Sequence, residues 1–248
     1  MVVAAIIQAR MASTRLPGKV LMDINGKPML LRLVERISYS KKIDKIIVAT
    51  STNKEDDAIY EYSLARNIDV YRGSQDDVLN RYYEAAKFFK VDVIVRITAD
   101  CPLLDPYVMD NVIEVFVNES KTIVTNAGID LAKRTYPRGL DVEVFSFETL
   151  SIVNNKATQN YQREHVTPYI YQNTDEVFVV RDTKNFSKNR WTVDTAEDME
   201  FVRAVYSGFK NELDTLNFKN VLNYLENNPH LKKINQHINQ KSHLEIGQ

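Results

Sequence analysis

Short apolar runs alternate along this chain with longer stretches whose apolar residues recur at helical spacing. Residues 2–7 (VVAAII) form a continuous apolar run and predict a strand buried on both faces. Further strands are expected at 45–50, 68–71, 91–97 and 122–125. Between the first two, Met29, Leu30, Leu33, Val34 and Ile37 share one face of a helix that Pro28 opens. Helices are likewise expected over 55–66, 76–89 and 106–117. Strand and helix alternate with short connections, which predicts an α/β fold in three layers, α/β/α, around a mostly parallel sheet.

The second half is less regular. Residues 140–145 (LDVEVF) alternate and predict a strand, followed by a helix over 147–154. A tyrosine-rich segment comes next, then strands at 177–180 and 190–193 and a helix over 196–206. Helical stretches near 218–225 and 229–238 end the pattern, and the polar tail from Gln240 is expected to fray.

Composition narrows the function class. A chain of 248 residues with 44% hydrophobic and 26% charged residues is an ordinary globular protein, long enough to bury a core without disulfides. Cys101 is the single cysteine, which excludes an internal disulfide. The net charge of −1 argues against a general polyanion binder, so no nucleic-acid partner is expected and any phosphate site must be local. The first apolar run is only a strand long before Arg10 interrupts it, too short for a signal peptide. No stretch approaches the roughly 20 apolar residues of a membrane span. A cytoplasmic protein with no membrane partner is the expectation.

In open α/β sheets ligands bind beyond the carboxyl ends of the strands. Three polar loops follow such ends, after Ile7, Tyr71 and Ile97. The first carries Arg10, Arg15 and Lys19, with Ser13 and Thr14 between them. Three cations on one loop repel one another unless an anion lies among them, and a triphosphate supplies it. The glycine spacing of a Walker loop is absent. By itself the loop reads as a polyphosphate cradle or as a solvated basic turn. Asp100 stands at the tip of the strand 91–97 ahead of Pro102, where by itself it reads as a turn former or a helix cap. Asp194, just before the helix 196–206, reads by itself as an N-cap or an Asp-Thr turn, with Thr195 able to take over the capping. In the loop after Tyr71, Gly73, Ser74, Gln75 and Arg81 read either as a contact to a base or ribose, or as a capped helix start around Asp76 with a surface arginine.

These segments resemble the sugar nucleotidyltransferases. The carrying residues are Ala9-Arg10, Ser13-Thr14-Arg15-Leu16-Pro17-Gly18-Lys19, Asn25-Gly26-Lys27-Pro28-Met29 and Glu35-Arg36. The likeness is to the cytidylyltransferases that activate 3-deoxy-manno-octulosonate and acylneuraminates. Gly73 to Arg81, Tyr136 to Glu143 and Tyr161 to Tyr169 resemble the spore-coat polysaccharide (SpsF-like) branch. The resemblance implies a Rossmann-like nucleotide-diphospho-sugar transferase fold and a cytoplasmic enzyme of surface-polysaccharide biosynthesis. Such an enzyme joins CTP to an acidic sugar of nonulosonate or octulosonate type, releasing pyrophosphate.

Carried over residue by residue, Arg10, Arg15 and Lys19 would contact the CTP phosphates, and the backbone around Gln8 and Ala9 would help hold the cytosine. Asp100 and Asp194 would bind Mg2+. Arg138 and Arg163 could hold the acceptor's carboxylate, and Asp141, Glu143 and Glu164 its hydroxyls. His165, grouped with these substrate-binding residues, is ambiguous between catalysis and structure. Tyr161, Tyr169 and Tyr171 read as core and interface. The family is often dimeric, so a homodimer is raised as well. The expected organisation is one nucleotidyltransferase domain. Its nucleotide-binding half spans 1–126, its acceptor-binding half with the second metal ligand 127–210, and its C-terminal helices 211–248.

Two other readings stand beside this one. A glycosyltransferase of similar architecture would consume a nucleotide sugar, but usually carries an Asp-x-Asp that the tip Asp100-Cys101-Pro102 lacks. A catalytically silent nucleotide-binding module would have no need of both carboxylates and all three cations. The octulosonate enzymes usually read Gln-Gly-Asp-Glu-Pro at the central strand tip. Here Thr98-Ala99-Asp100-Cys101-Pro102 keeps only the Asp and the Pro, so the acceptor stays open.

Overall fold

The most apolar run of the chain organises the sheet. In the computed structural model, which describes residues 1–128, 132–210 and 215–238, strand β1 (Val3–Gln8) pairs in parallel with β4 (Lys45–Ser51) and β6 (Val93–Thr98). A small hairpin of β2 (Asp23–Ile24) and β3 (Lys27–Pro28) stands apart, turning at Asn25-Gly26. With β5 (Asp69–Gly73), β7 (Ile123–Thr125), β8 (Glu143–Ser146) and β9 (Val177–Val179), the main sheet has seven strands in the order β5-β4-β1-β6-β8-β7-β9. Only the pairs β6–β8 and β8–β7 are antiparallel.

Side chains of β1 feed both faces. Val3, Ala5 and Ile7 join one core with α1 (Met29–Ser38), α2 (Asp57–Leu64), α4 (Pro106–Asn118), α8 (Ala196–Gly208) and α9 (Phe218–Asn227). Ala4 and Ile6 join the other with α3 (Val78–Phe88), α5 (Phe147–Lys156) and α7 (Pro168–Asn173). A strand buried on both faces needs no polar alternation, hence its continuous apolar run. The expected three-layer architecture with a mostly parallel sheet is the observed one.

Several boundaries differ from expectation. The helix 55–66 shortens to α2, because the chain first makes a 3-10 turn (Lys54–Asp56) that sends the Asp56 side chain back to Met11 and Ser51. Asp77, not Asp76, caps α3, accepting from the Asn80 N–H at 2.9 Å. The strand expected at 140–145 begins only at Glu143. Its first residues bond to side chains instead: Asn126 Nδ2 donates to the Leu140 carbonyl and Thr125 Oγ1 to that of Val142. The tyrosine-rich segment folds into α6 (Asn160–His165) and α7. The helix expected over 229–238 is only α10 (Pro229–Lys232). Residues 190–193 form no strand; the backbone there bonds to loops at Arg138 and Asp100 rather than to the sheet. The tail from Gln240 lies outside the described residues. Among the described residues no helix is long and apolar enough to cross a membrane.

Candidate active site

The carboxyl ends of β1 and β6 lie side by side, and the chain leaves them in loops that bond to each other. The Ala99 N–H donates to the Gln8 carbonyl at 3.1 Å, and the Ala9 N–H to that of Ala49 at 3.2 Å. The basic loop is closed by the Gly18 N–H donating to the Met11 carbonyl at 3.0 Å, with Gly18 at φ 71°, a left-handed conformation glycine adopts without strain. Asp56, 1% exposed, anchors it by accepting from the Met11 N–H at 2.6 Å.

Residues 190–194 run along both loops. The Val193 N–H donates to the Asp100 carbonyl at 2.8 Å, and the Trp191 N–H to the Arg138 carbonyl at 2.7 Å. This contact is tight because of Gly139: at φ 99°, a Cβ there would meet the Trp191 carbonyl carbon at 2.5 Å. The outcome is convergence of three distant segments. Lys19 Nζ lies 2.9 Å from Asp194 Oδ1 and 3.7 Å from Asp100 Oδ2, and donates to the Val193 carbonyl at 2.6 Å. Arg15 Nη2 is 2.9 Å from Asp194 Oδ2. Arg10 is exposed on the same loop.

Burial alone would raise the Asp194 pKa, but Lys19, Arg15 and Arg190 outweigh it and hold the carboxyl below its ordinary range. Asp100 Oδ1 accepts from Thr98 Oγ1 at 2.6 Å and from Cys101 Sγ at 3.4 Å. Burial pushes the Cys101 thiol well up, so it stays protonated beside that carboxylate.

A cavity of about 550 Å³ opens beside this junction and is lined by Gln8, Asp100 and Asp194. Arg134, Arg138, Asp141, Glu143, Tyr161, His165, Tyr171 and Gln172 line it as well. The size suits a small ligand. Most of its charges are internally paired. Glu143 accepts from Arg96, from Thr167 Oγ1 at 3.0 Å and from Tyr171 Oη at 2.6 Å, and Asp141 accepts from Arg134. Arg138 is different: its guanidinium has no hydrogen bond or ion pair among the described residues. Burial and nearby Arg134 lower its pKa against the pull of Asp141, with Arg190 adding to the decrease. An arginine stays charged regardless, so this surrounding favours an anion next to it.

Residues 4–241 match the model of the Cytidylyltransferase family. The chain belongs to the cytidylyltransferases. It is 39% identical over 250 residues to an uncharacterized protein of Methanocaldococcus jannaschii, covering 99% of both chains. It is 33% identical over 213 residues to the spore coat polysaccharide biosynthesis protein SpsF of Bacillus subtilis, covering 81% of this chain and 85% of that one. A solved cytidylyltransferase from Leptospira borgpetersenii superposes with TM-score 0.88 at 32% identity, over 97% of this chain and 99% of that one. CMP:2-keto-3-deoxy-manno-octonic acid synthetase complexed with CTP shares the fold, with TM-score 0.62 at 19% identity over 84% of this chain and 99% of that one.

In this cytidylyltransferase several residues stand elsewhere than expected. Arg163 is not in the cavity wall. It clamps helices together, with Nε 2.9 Å from Asp77 Oδ2 and Nη1 donating to the Asn154 and Ala157 carbonyls at 3.0 and 2.9 Å. Glu164 is not in the wall either. Arg81 is 2% exposed and donates to the Ser74 carbonyl, so it shapes the loop of Gly73, Ser74 and Gln75 from beneath instead of facing solvent. Gln75 accepts from Asn53, and Ser74 Oγ accepts from the Asp77 N–H at 3.1 Å. Ser13, half-buried, stays on the basic loop. Tyr169 and Tyr171 pack against the core as expected, but Tyr171 also lines the cavity, and so does Tyr161.

Sequence reasoning missed Arg134, Arg190, Asp198 and Asp56, all buried. Asp198 alone left a signal: Thr195-x-x-Asp198 is a capping box, and Thr195 Oγ1 does accept from the Asp198 N–H at 3.3 Å.

The donor set fits a divalent cation. Asp100 and Asp194 already face one shared cation, the Lys19 ammonium. Among the described residues no group of three His, Cys, Asp or Glu side chains is placed to hold a metal ion, so an ion at Asp100 and Asp194 would take its other ligands from water and phosphate, as magnesium does.

Proposed function

We propose that this cytidylyltransferase joins CTP to an acidic sugar of nonulosonate or octulosonate type, with magnesium as cofactor, yielding a CMP-sugar and pyrophosphate for surface-polysaccharide biosynthesis. One observation carries the reading: Lys19, Asp100 and Asp194 meet at the strand ends, beside a cavity that holds an arginine without an anionic partner among the described residues. The kinship with the spore coat polysaccharide protein supports the pathway class.

In the proposed reaction an acceptor hydroxyl oxygen attacks the α-phosphorus of CTP. An oxygen–phosphorus bond forms, the bond to the bridging oxygen breaks, its electron pair leaves with pyrophosphate, and the hydroxyl proton passes to solvent. Arg10, Arg15 and Lys19 bind the β- and γ-phosphates and neutralise the charge that builds on the leaving group. Arg15 and Lys19 exchange their contacts with Asp194 for phosphate oxygens. Asp100 and Asp194 would hold magnesium, which when bound neutralises phosphate charge and makes the phosphorus more electrophilic. The loop of Gly73, Ser74 and Gln75 and the backbone at Gln8 and Ala9 take the nucleoside. Arg138 receives the acceptor's carboxylate, while Asp141 and Glu143 accept its hydroxyls through their remaining lone pairs. Holding both substrates in one cavity supplies the orientation on which phosphoryl chemistry depends.

The test is pyrophosphate release from each nucleoside triphosphate with a panel of sugar acids, with magnesium or with EDTA, followed by product mass. The expected result is acceptor-dependent release from CTP that EDTA abolishes. Transfer only from a preformed nucleotide sugar would point to a glycosyltransferase instead.

A further inference from the structure

Behind Asp194 lies a polar cluster whose side chains do not line the cavity. Asp198 is 0% exposed, Asn235 3% and Arg190 8%. Arg190 Nε and Nη2 donate to the two oxygens of Asp198, each at 2.9 Å, and Nη2 also donates to Asp194 Oδ2 at 2.9 Å. Asp198 Oδ2 accepts in addition from the Asp194 N–H at 2.9 Å and the Thr195 N–H at 3.1 Å. Asn235, beyond α10, closes the cluster: its Nδ2 donates to Asp198 Oδ1 at 2.9 Å and to the Arg190 carbonyl at 3.0 Å.

A buried ion pair is a poor means of stabilising a fold, since apolar residues of similar volume often do as well or better. What this cluster supplies is orientation. Asp198 holds the Asp194 backbone, and Arg190 bridges the Asp194 and Asp198 carboxylates. Groups placed this way behind metal ligands set ligand geometry and basicity.

We propose that Arg190, Asp198 and Asn235 are a positioning unit for Asp194, through which the C-terminal segment sets the affinity of the site for its metal–nucleotide complex. This rests on Asp194 being a metal ligand. The test uses Mn2+ as a reporter, with ternary binding to protein and CTP followed by water-proton relaxation enhancement. Asn235→Ala removes two hydrogen bonds without changing charge. It should weaken Mn2+ binding in the presence of CTP roughly 10-fold, the lower end for such supporting groups. CTP binding in EDTA should change less than about 2-fold, because Arg10, Arg15 and Lys19 are untouched. Asn235→Ser, which retains a hydroxyl donor, should fall in between and serves if the alanine variant does not fold. Wild-type Mn2+ affinity in either folded variant, with binding lost in Asp194→Asn, overturns the positioning role alone. Binding retained in Asp194→Asn, or absent from the wild type, overturns the metal assignment itself.

Discussion

The Lys19 ammonium donates to Asp194 at 2.9 Å across 175 residues of sequence. Asp100 also lies 3.7 Å from that ammonium. One lysine thus contacts two carboxylates that come from opposite halves of the chain, and Arg15 and Arg190 bring further positive charge to Asp194. That is the charge pattern a metal–triphosphate complex would extend: acidic groups facing the cation, and basic groups free to turn toward the phosphates.

Asp100→Asn should lower kcat for pyrophosphate release roughly 100-fold or more, as expected when charge stabilisation worth several kcal/mol is lost. Its side chain is 28% exposed and, among the described residues, bonded only within its own turn and to Lys19, so the melting temperature should stay close to wild type. Near-normal turnover in excess magnesium would remove Asp100 from the site.

Lys19→Ala should weaken CTP binding by roughly 10-fold or more, since a charge-assisted contact to phosphate is lost. Isothermal calorimetry reads this directly, and unchanged affinity would argue against the basic loop as the phosphate cradle.

Arg138 and Arg163 should part company. Arg138→Ala should raise the acceptor KM roughly 10- to 100-fold, equivalent to one charged hydrogen-bonded contact, with little effect on folding. Arg163→Ala should lower the melting temperature and leave the acceptor KM unchanged, because this arginine joins Asp77, Asn154 and Ala157. Steady-state kinetics and thermal unfolding on both variants separate the two roles.

Gly139→Ala should destabilise the protein by at least about 1–3 kcal/mol from backbone conformation alone, at φ 99°. The new Cβ would also press on the Trp191–Thr192 peptide, with 2.6 Å to the Thr192 nitrogen. Because that peptide leads into Asp194, activity should fall as well. Urea unfolding and turnover of the soluble variant check the pair of effects.

Acid should weaken the fold through Asp198. Burial pushes its carboxyl pKa up, but hydrogen bonds from Arg190, Asn235 and the Asp194 N–H prevail and depress it. A depressed folded-state pKa gives stability that is complete above the unfolded value, about 3.9, and lost as pH falls through the lower folded value. Melting temperature should therefore drop below roughly pH 4. Asp198→Asn should start lower at neutral pH and show a shallower acid slope; equal slopes would contradict this account.

Much of this protein was legible along the chain because local physics dictates it. Residues 3–8 had to be a doubly buried strand, since nothing in VAAIIQ before the glutamine tolerates a wet face. The helix behind Pro28, the Thr195 cap and the clustered charge of Arg10, Arg15 and Lys19 follow from neighbouring residues alone. The pairing of distant groups did not. Arg138 and Arg163 look alike in sequence, yet one faces a cavity and the other locks helices, because packing brings a carboxylate and carbonyls within hydrogen-bonding reach of the Arg163 guanidinium and, among the described residues, none within reach of that of Arg138. Asp194 and Asp100 share Lys19 through a segment whose backbone lies against Gly139, and Asn235 reaches Asp198 from beyond α10. Such contacts depend on which loops share the end of a sheet, and that is settled by the packing of the whole core.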